Sequence, residues 1–90
     1  MASKQGIAKA IIDRVEQSET IDYSLWRIGL THDHTERWEE WGKPEHWKYW
    51  QANSLNDAQE VEAFFIHEKK MQGGTGGDLS SYKTVFVYIF

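Results

Sequence analysis

The sequence predicts a small layered α/β (α+β) domain, about three strands and three helices in the order α-β-α-β-α-β. Three observations carry this. Residues 3–17 and 58–71 set apolar side chains at spacings of three and four, the signature of amphipathic helices. Residues 23–30, 46–52 and 84–90 are short and rich in aromatic and β-branched residues, as strands are. The two kinds alternate, and no repeat or linker divides the 90 residues, so one domain over 1–90 is expected.

The elements follow in order. Ile7, Ala8, Ile11, Ile12 and Val15 make one apolar stripe, and a helix is predicted from Ser3 to about Gln17. Residues 18–22 are polar and read as a loop. Tyr23 to Leu30 reads as a buried strand, with Thr31, His32 and Asp33 as the turn after it. Asp33 is an N-cap type with Glu36 three residues on, a capping-box spacing, so a short helix should run to about Trp41. Gly42 and the Lys43-Pro44 pair end it. His46 to Ala52 reads as a second strand and Asn53 to Asp57 as a turn. Ala58 to Met71 reads as the clearest helix, closed by Lys69-Lys70 and broken by the glycines of 73–77. The run Thr84 to Phe90 is apolar throughout, which predicts a central strand covered on both sides.

Composition narrows the function classes. Domains of this size bury only about 60–65% of their unfolded surface, so the five Trp, four Tyr and four Phe are a large share of the available apolar mass. The absence of cysteine excludes disulfides and thiolate metal sites and fits a cytoplasmic protein. The amino-terminal residues read as neither signal peptide nor membrane span, so no membrane partner is expected. A net charge of −4 argues against nonspecific nucleic-acid binding, which phosphate contacts drive, but leaves room for a local basic cleft.

The segment Arg27-Ile28-Gly29-Leu30-Thr31-His32-Asp33-His34-Thr35-Glu36-Arg37 resembles the second half of the GIY-YIG nuclease signature. Ile28-Gly29 match the motif's Ile-Gly, Thr31 its threonine, Asp33 its turn residue and Arg37 its helix arginine, without gaps. Residues 58–66 resemble the family's later helix, whose glutamate holds the single metal ion; Glu62 is the matching position. The sequence departs from the pattern in three places. Arg27 stands where the second motif tyrosine belongs, no Gly-Ile-Tyr strand precedes the segment, and the late asparagine has no counterpart. Val85-Phe86-Val87-Tyr88-Ile89 is the nearest equivalent of the missing strand, and its position at the other end of the chain suggests a circular permutation. Either Tyr88 or Phe86 would then register on the motif tyrosine. The resemblance spans Trp26 to Ile66, plus the last strand if permuted.

The resemblance implies metal-dependent phosphodiester cleavage or nucleic-acid binding. Glu62 would bind Mg²⁺, which needs few protein ligands. Arg37 would neutralise charge developing on phosphate, and Tyr88 or Tyr23 would position water. Arg27, Thr31 and Lys48 are the substrate-contact candidates. The plain alternatives are that Arg37 only pairs with Glu36, Glu40 or Asp33 at the surface and that Glu62 is an ordinary helix residue. A noncatalytic protein-interaction module on the same scaffold is the competing reading.

Other signals are weaker. His32 and His34 flank Asp33 in a His-x-His turn, but with no regular third ligand they read as solvated turn residues rather than a zinc site. Gly73 to Gly77 lacks the Lys-Ser/Thr and following helix of a phosphate loop, and reads as a connection. Trp38, Trp41, Trp47, Tyr49 and Trp50 are interleaved with Arg37, Lys43 and Lys48. They suit base stacking or a protein interface, with about half of them expected in the core.

Overall fold

Three of the four strands run one way and the last runs against them between two of them. A computed structural model describes residues 3–19, 21–73 and 79–90. Helix α1 is Lys4–Glu16, strand β1 Arg27–Thr31, helix α2 His34–Glu40, strand β2 Lys48–Gln51, helix α3 Leu55–His67, strand β3 Gln72–Gly73 and strand β4 Phe86–Ile89. The sheet order is β2-β4-β1-β3, with β4 antiparallel to both neighbours and β3 parallel to β1. The α+β class and the central last strand therefore hold; among the described residues the strands number four, because a two-residue pairing at Gln72–Gly73 adds one.

The topology fixes where the helices lie. The path from β1 to β2 crosses the sheet in one direction, and the path from β2 to β3 crosses it in the other. Crossovers between parallel strands are right-handed, so α2 and α3 fall on opposite faces. Side chains agree. Val61 and Phe65 of α3 share the core with Ile28, Leu30, Val87 and Ile89, and α1 adds Ile7, Ile11 and Val15. On the other face, Trp41 at the end of α2 donates its indole N–H to the Tyr88 hydroxyl at 3.1 Å. The covered-both-sides reading of the last strand follows: Val87 and Ile89 lie under the helices, and Tyr88 lies under Trp41 and Trp47.

Local chemistry sets the boundaries, and several differ from expectation. Tyr23–Leu25 is a single 3₁₀ turn rather than strand. The Asp22 carboxylate accepts from the Ser24 backbone N–H at 3.0 Å, which diverts the backbone from a ladder. The strand starts at Arg27 and includes Thr31. Asp33 caps α2 by accepting from Glu36 N–H at 3.0 Å, as expected. The reciprocal half of the box belongs to Thr31, whose Oγ1 accepts from Asp33 N–H at 3.1 Å. Gly42 takes a left-handed φ of 83° just past the end of α2. Helix α3 begins three residues earlier than predicted, because Ser54 caps it by accepting from Asp57 N–H at 3.1 Å. It ends at His67, not Met71, where Lys70 adopts a φ of 65° and its ammonium donates to the His67 carbonyl at 2.8 Å.

The aromatic cluster is mostly not core. Only Trp50 packs against the main cluster. Strand alternation sends Tyr49 to the face opposite α3, and Trp41 and Tyr49 stay 40% and 44% exposed. The reading of Gly73 to Gly77 as a connection falls on residues 74–78, outside the described residues. Among the described residues, no helix is long and apolar enough to cross a membrane.

Candidate functional site

A small pit opens beside β1, next to Gly73 of β3. Among the described residues, strand β3 pairs with Arg27 and Ile28 of β1. Arg27, Ile28, Gly29 and Leu30 line the pit from β1, Glu62 from α3, Tyr88 from β4, Trp41 from the end of α2 and Gly73 from β3. Its volume is about 10 Å³, the room of one water.

Gly29 and Tyr88 are cross-strand partners. The tyrosine ring passes directly over the glycine, and a Cβ on Gly29 would run into the Tyr88 ring and hydroxyl. The glycine of the Ile-Gly pair thus has a steric reason: it is the space through which a tyrosine from the neighbouring strand reaches the pit. Tyr88 is buried, its ring stacks on Trp47 with centroids 4.6 Å apart, and its oxygen accepts the Trp41 N–H, leaving its own O–H free to donate. Glu62 is half-buried, and its carboxylate makes no hydrogen bond or ion pair among the described residues. Burial alone raises its pKa above the ordinary glutamate value, since the charged form loses hydration.

The structure brings Arg27, Glu62 and Tyr88 together; the other candidates lie elsewhere. Arg37 does not line the pit. It sits one helical turn before Trp41. Its side chain is 27% exposed, and its buried Nε lies 3.4 Å from Glu40 without a hydrogen-bond partner. Thr31 is 2% exposed, and its hydroxyl is engaged at both ends by Asp33, donating to the carbonyl at 3.0 Å and accepting from the N–H. These two bonds close the turn. Lys48 pairs with Ile89, which sets it on the α3 face of the sheet, away from the Tyr88 face. Tyr23 stacks on Phe65 on the α3 side, and its hydroxyl reaches Glu16 at 3.5 Å; desolvation and the Glu16 charge raise its pKa. Phe86 shares the Tyr88 face but packs on His34 and Tyr49, outside the pit.

His32 and His34 are half-buried rather than solvated. His32 stacks on Tyr82 at 3.8 Å and His34 on Tyr49 at 3.7 Å. Among the described residues there is no cluster of three metal-ligating side chains.

Sequence reasoning named Trp41 only as one of an aromatic cluster, not beside Tyr88, and did not name Gln72, whose side chain bonds Arg27. Trp41 had a usable signal, because it follows Arg37 by one helical turn and shares its side of α2. Gln72 had none; only the β1–β3 pairing brings it near Arg27. In comparisons with known proteins, the chain matches no family model, no curated protein and no solved structure at a significant level.

Proposed function

We propose that this domain is a permuted GIY-YIG-type phosphodiesterase whose pit, lined by Glu62 and Tyr88, is the reacting centre. The observation that carries the reading is convergence: Gly29, Glu62 and Tyr88, from three distant segments, meet around space for one water. The direct pairing of β4 with β1 sets Tyr88 opposite Gly29, and it supports the same reading. So does the registration of Tyr88, rather than Phe86, on the pit. A water held there would receive a hydrogen bond from the Tyr88 hydroxyl and meet the Glu62 carboxylate as acceptor.

Glu62 would be the one protein ligand of a divalent cation: Mg²⁺ uses one or two carboxylates and keeps several waters, and with room for a single water in the pit those waters would lie outside it; among the described residues no cationic side chain is paired with Glu62. When bound, the ion supplies charge neutralisation at the phosphoryl group. The reading extends to a nucleic-acid substrate and a cytoplasmic setting, the latter supported by a chain without cysteine.

Labelled branched, single-stranded and duplex DNA, incubated with the purified domain and Mg²⁺ or Mn²⁺, test the proposal. The expected result is cleavage that falls roughly 100-fold or more in Glu62→Gln and Tyr88→Phe, the scale of losing a group that acts in the transition state. Absence of cleavage that depends on Glu62 overturns it. The position of Arg37 outside the pit favours a second reading, a noncatalytic module that binds protein or nucleic acid on the same scaffold. Under that reading, ligand is retained on the protein and no strand is cut.

A further inference from the structure

Cleavage of a phosphodiester needs a cation at the phosphate, and the arginine that the resemblance nominates is not at the pit. Another one is. Arg27 lines the pit with Glu62 and Tyr88. Its guanidinium carbon lies 4.8 Å from the Trp41 ring centroid, so the Trp41 face fixes the group by a cation–π contact. One Nη2–H donates to Gln72 Oε1 at 3.2 Å. Trp41 is itself held by its bond to Tyr88. The group is thus fixed from two sides before any ligand arrives.

The donors of Arg27 are also unspent. A guanidinium carries five N–H donors, and among the described residues its side chain makes only the hydrogen bond to Gln72. Arg27 and Glu62 line one pit without forming an ion pair; the described ion pairs are Lys4–Glu60 and Arg37–Glu40. A cation and a carboxylate kept apart across a small polar opening leave room for an anionic oxygen on the arginine side. A planar fork held over an aromatic ring is an arrangement that suits two-point binding of phosphate oxygens.

We propose that Arg27 is the phosphate-binding residue of the pit, gripping non-bridging phosphate oxygens in the role that the resemblance gives to Arg37, with Trp41 as its positioning residue. This rests on the phosphodiesterase reading, but its test does not require turnover. Titrating the full chain with inorganic phosphate and with thymidine 5′-monophosphate, followed by NMR, should give saturable shifts at the Arg27 Nε–H and the Trp41 indole N–H. In Arg27→Gln the affinity should fall roughly tenfold or more, the scale of one charge-assisted hydrogen bond. Arg27→Lys is the second variant; it keeps the charge without the planar fork and should still lose affinity several-fold. Unchanged core amide shifts establish that each variant is folded.

The proposal is overturned if no saturable shift reaches Arg27, if both Arg27 variants bind as the parent does, or if Arg37→Gln rather than Arg27→Gln abolishes the shifts. Phosphate binding at Arg27 without any DNA cleavage would sink the chemistry and leave Arg27 standing. Glu62-dependent cleavage that survives in Arg27→Gln would sink Arg27 and leave the chemistry standing.

Discussion

Gly29 and Tyr88 form a steric pair, and the pair makes a quantitative prediction. Adding a methyl group at Gly29 forces the Tyr88 ring out of place, so Gly29→Ala should cost about 1–3 kcal/mol, the usual range for overpacking. Chemical denaturation measures it, and the cost should shrink in a Tyr88→Ala background, because the two residues share one space. Tyr88→Phe keeps the ring and loses the hydroxyl that accepts from Trp41, at a cost of about 0.5–1.5 kcal/mol. Glu62 gives a pH signature. Burial raises its folded-state pKa above the unfolded value, so folding favours the protonated form. Stability from this group is fully present at pH below the unfolded pKa and is lost as pH rises through the folded pKa. Glu62→Gln should therefore be more stable than the parent at neutral pH, with the advantage vanishing on acidification below the ordinary glutamate range. Thermal melts across pH check the sign. A residue that destabilises its own fold in its charged state is what a ligand-binding carboxylate is expected to be.

At the scale of elements, the sequence made the helices legible and left the edges obscure. The apolar stripes of α1 and α3 announced themselves through spacing, because Ile7, Ile11 and Val15, and Ala58, Val61 and Phe65, are the buried residues. Where α3 begins was not readable from the stripe, since several residues of 53–57 are N-cap types and only the Ser54–Asp57 bond chooses among them. Ser54→Ala should cost about 1 kcal/mol of stability, and Phe65→Ala, at the centre of the core, about 3–5 kcal/mol; urea unfolding separates the two. Strand β3 was invisible because two residues carry no periodicity, and its hold comes from a distant segment through Gln72 N–H donating to the Trp26 carbonyl at 3.0 Å. The aromatic segments were legible as apolar but not as to face. Composition marks a tryptophan as large and apolar; the strand register and the α2 crossover decide that Trp41 and Trp47 cover Tyr88 instead of joining Phe65.

At the scale of the molecule, a Cα radius of gyration of 12.0 Å marks a compact α+β fold. Within it, the opposed crossovers put α2 and α3 on different faces of one sheet, and the pit lies beside β1, where residues from both helices meet. This explains the partial reading of the site. Tyr88, Glu62 and Arg27 were readable as residue types at motif positions. Their convergence depends on β4 inserting between β2 and β1, a long-range fact that no local pattern carries. The exclusion of Arg37 from the pit was equally hidden, because helical spacing gives its side of α2 but not how far its guanidinium lies from Tyr88. Paramagnetic Mn²⁺ added to the isotope-labelled domain tests the pit as a metal-dependent centre most directly. The account predicts selective broadening of the Gly29 amide and the Trp41 indole N–H, abolished by Glu62→Gln; broadening elsewhere, or broadening that persists in the Glu62 variant, would contradict it.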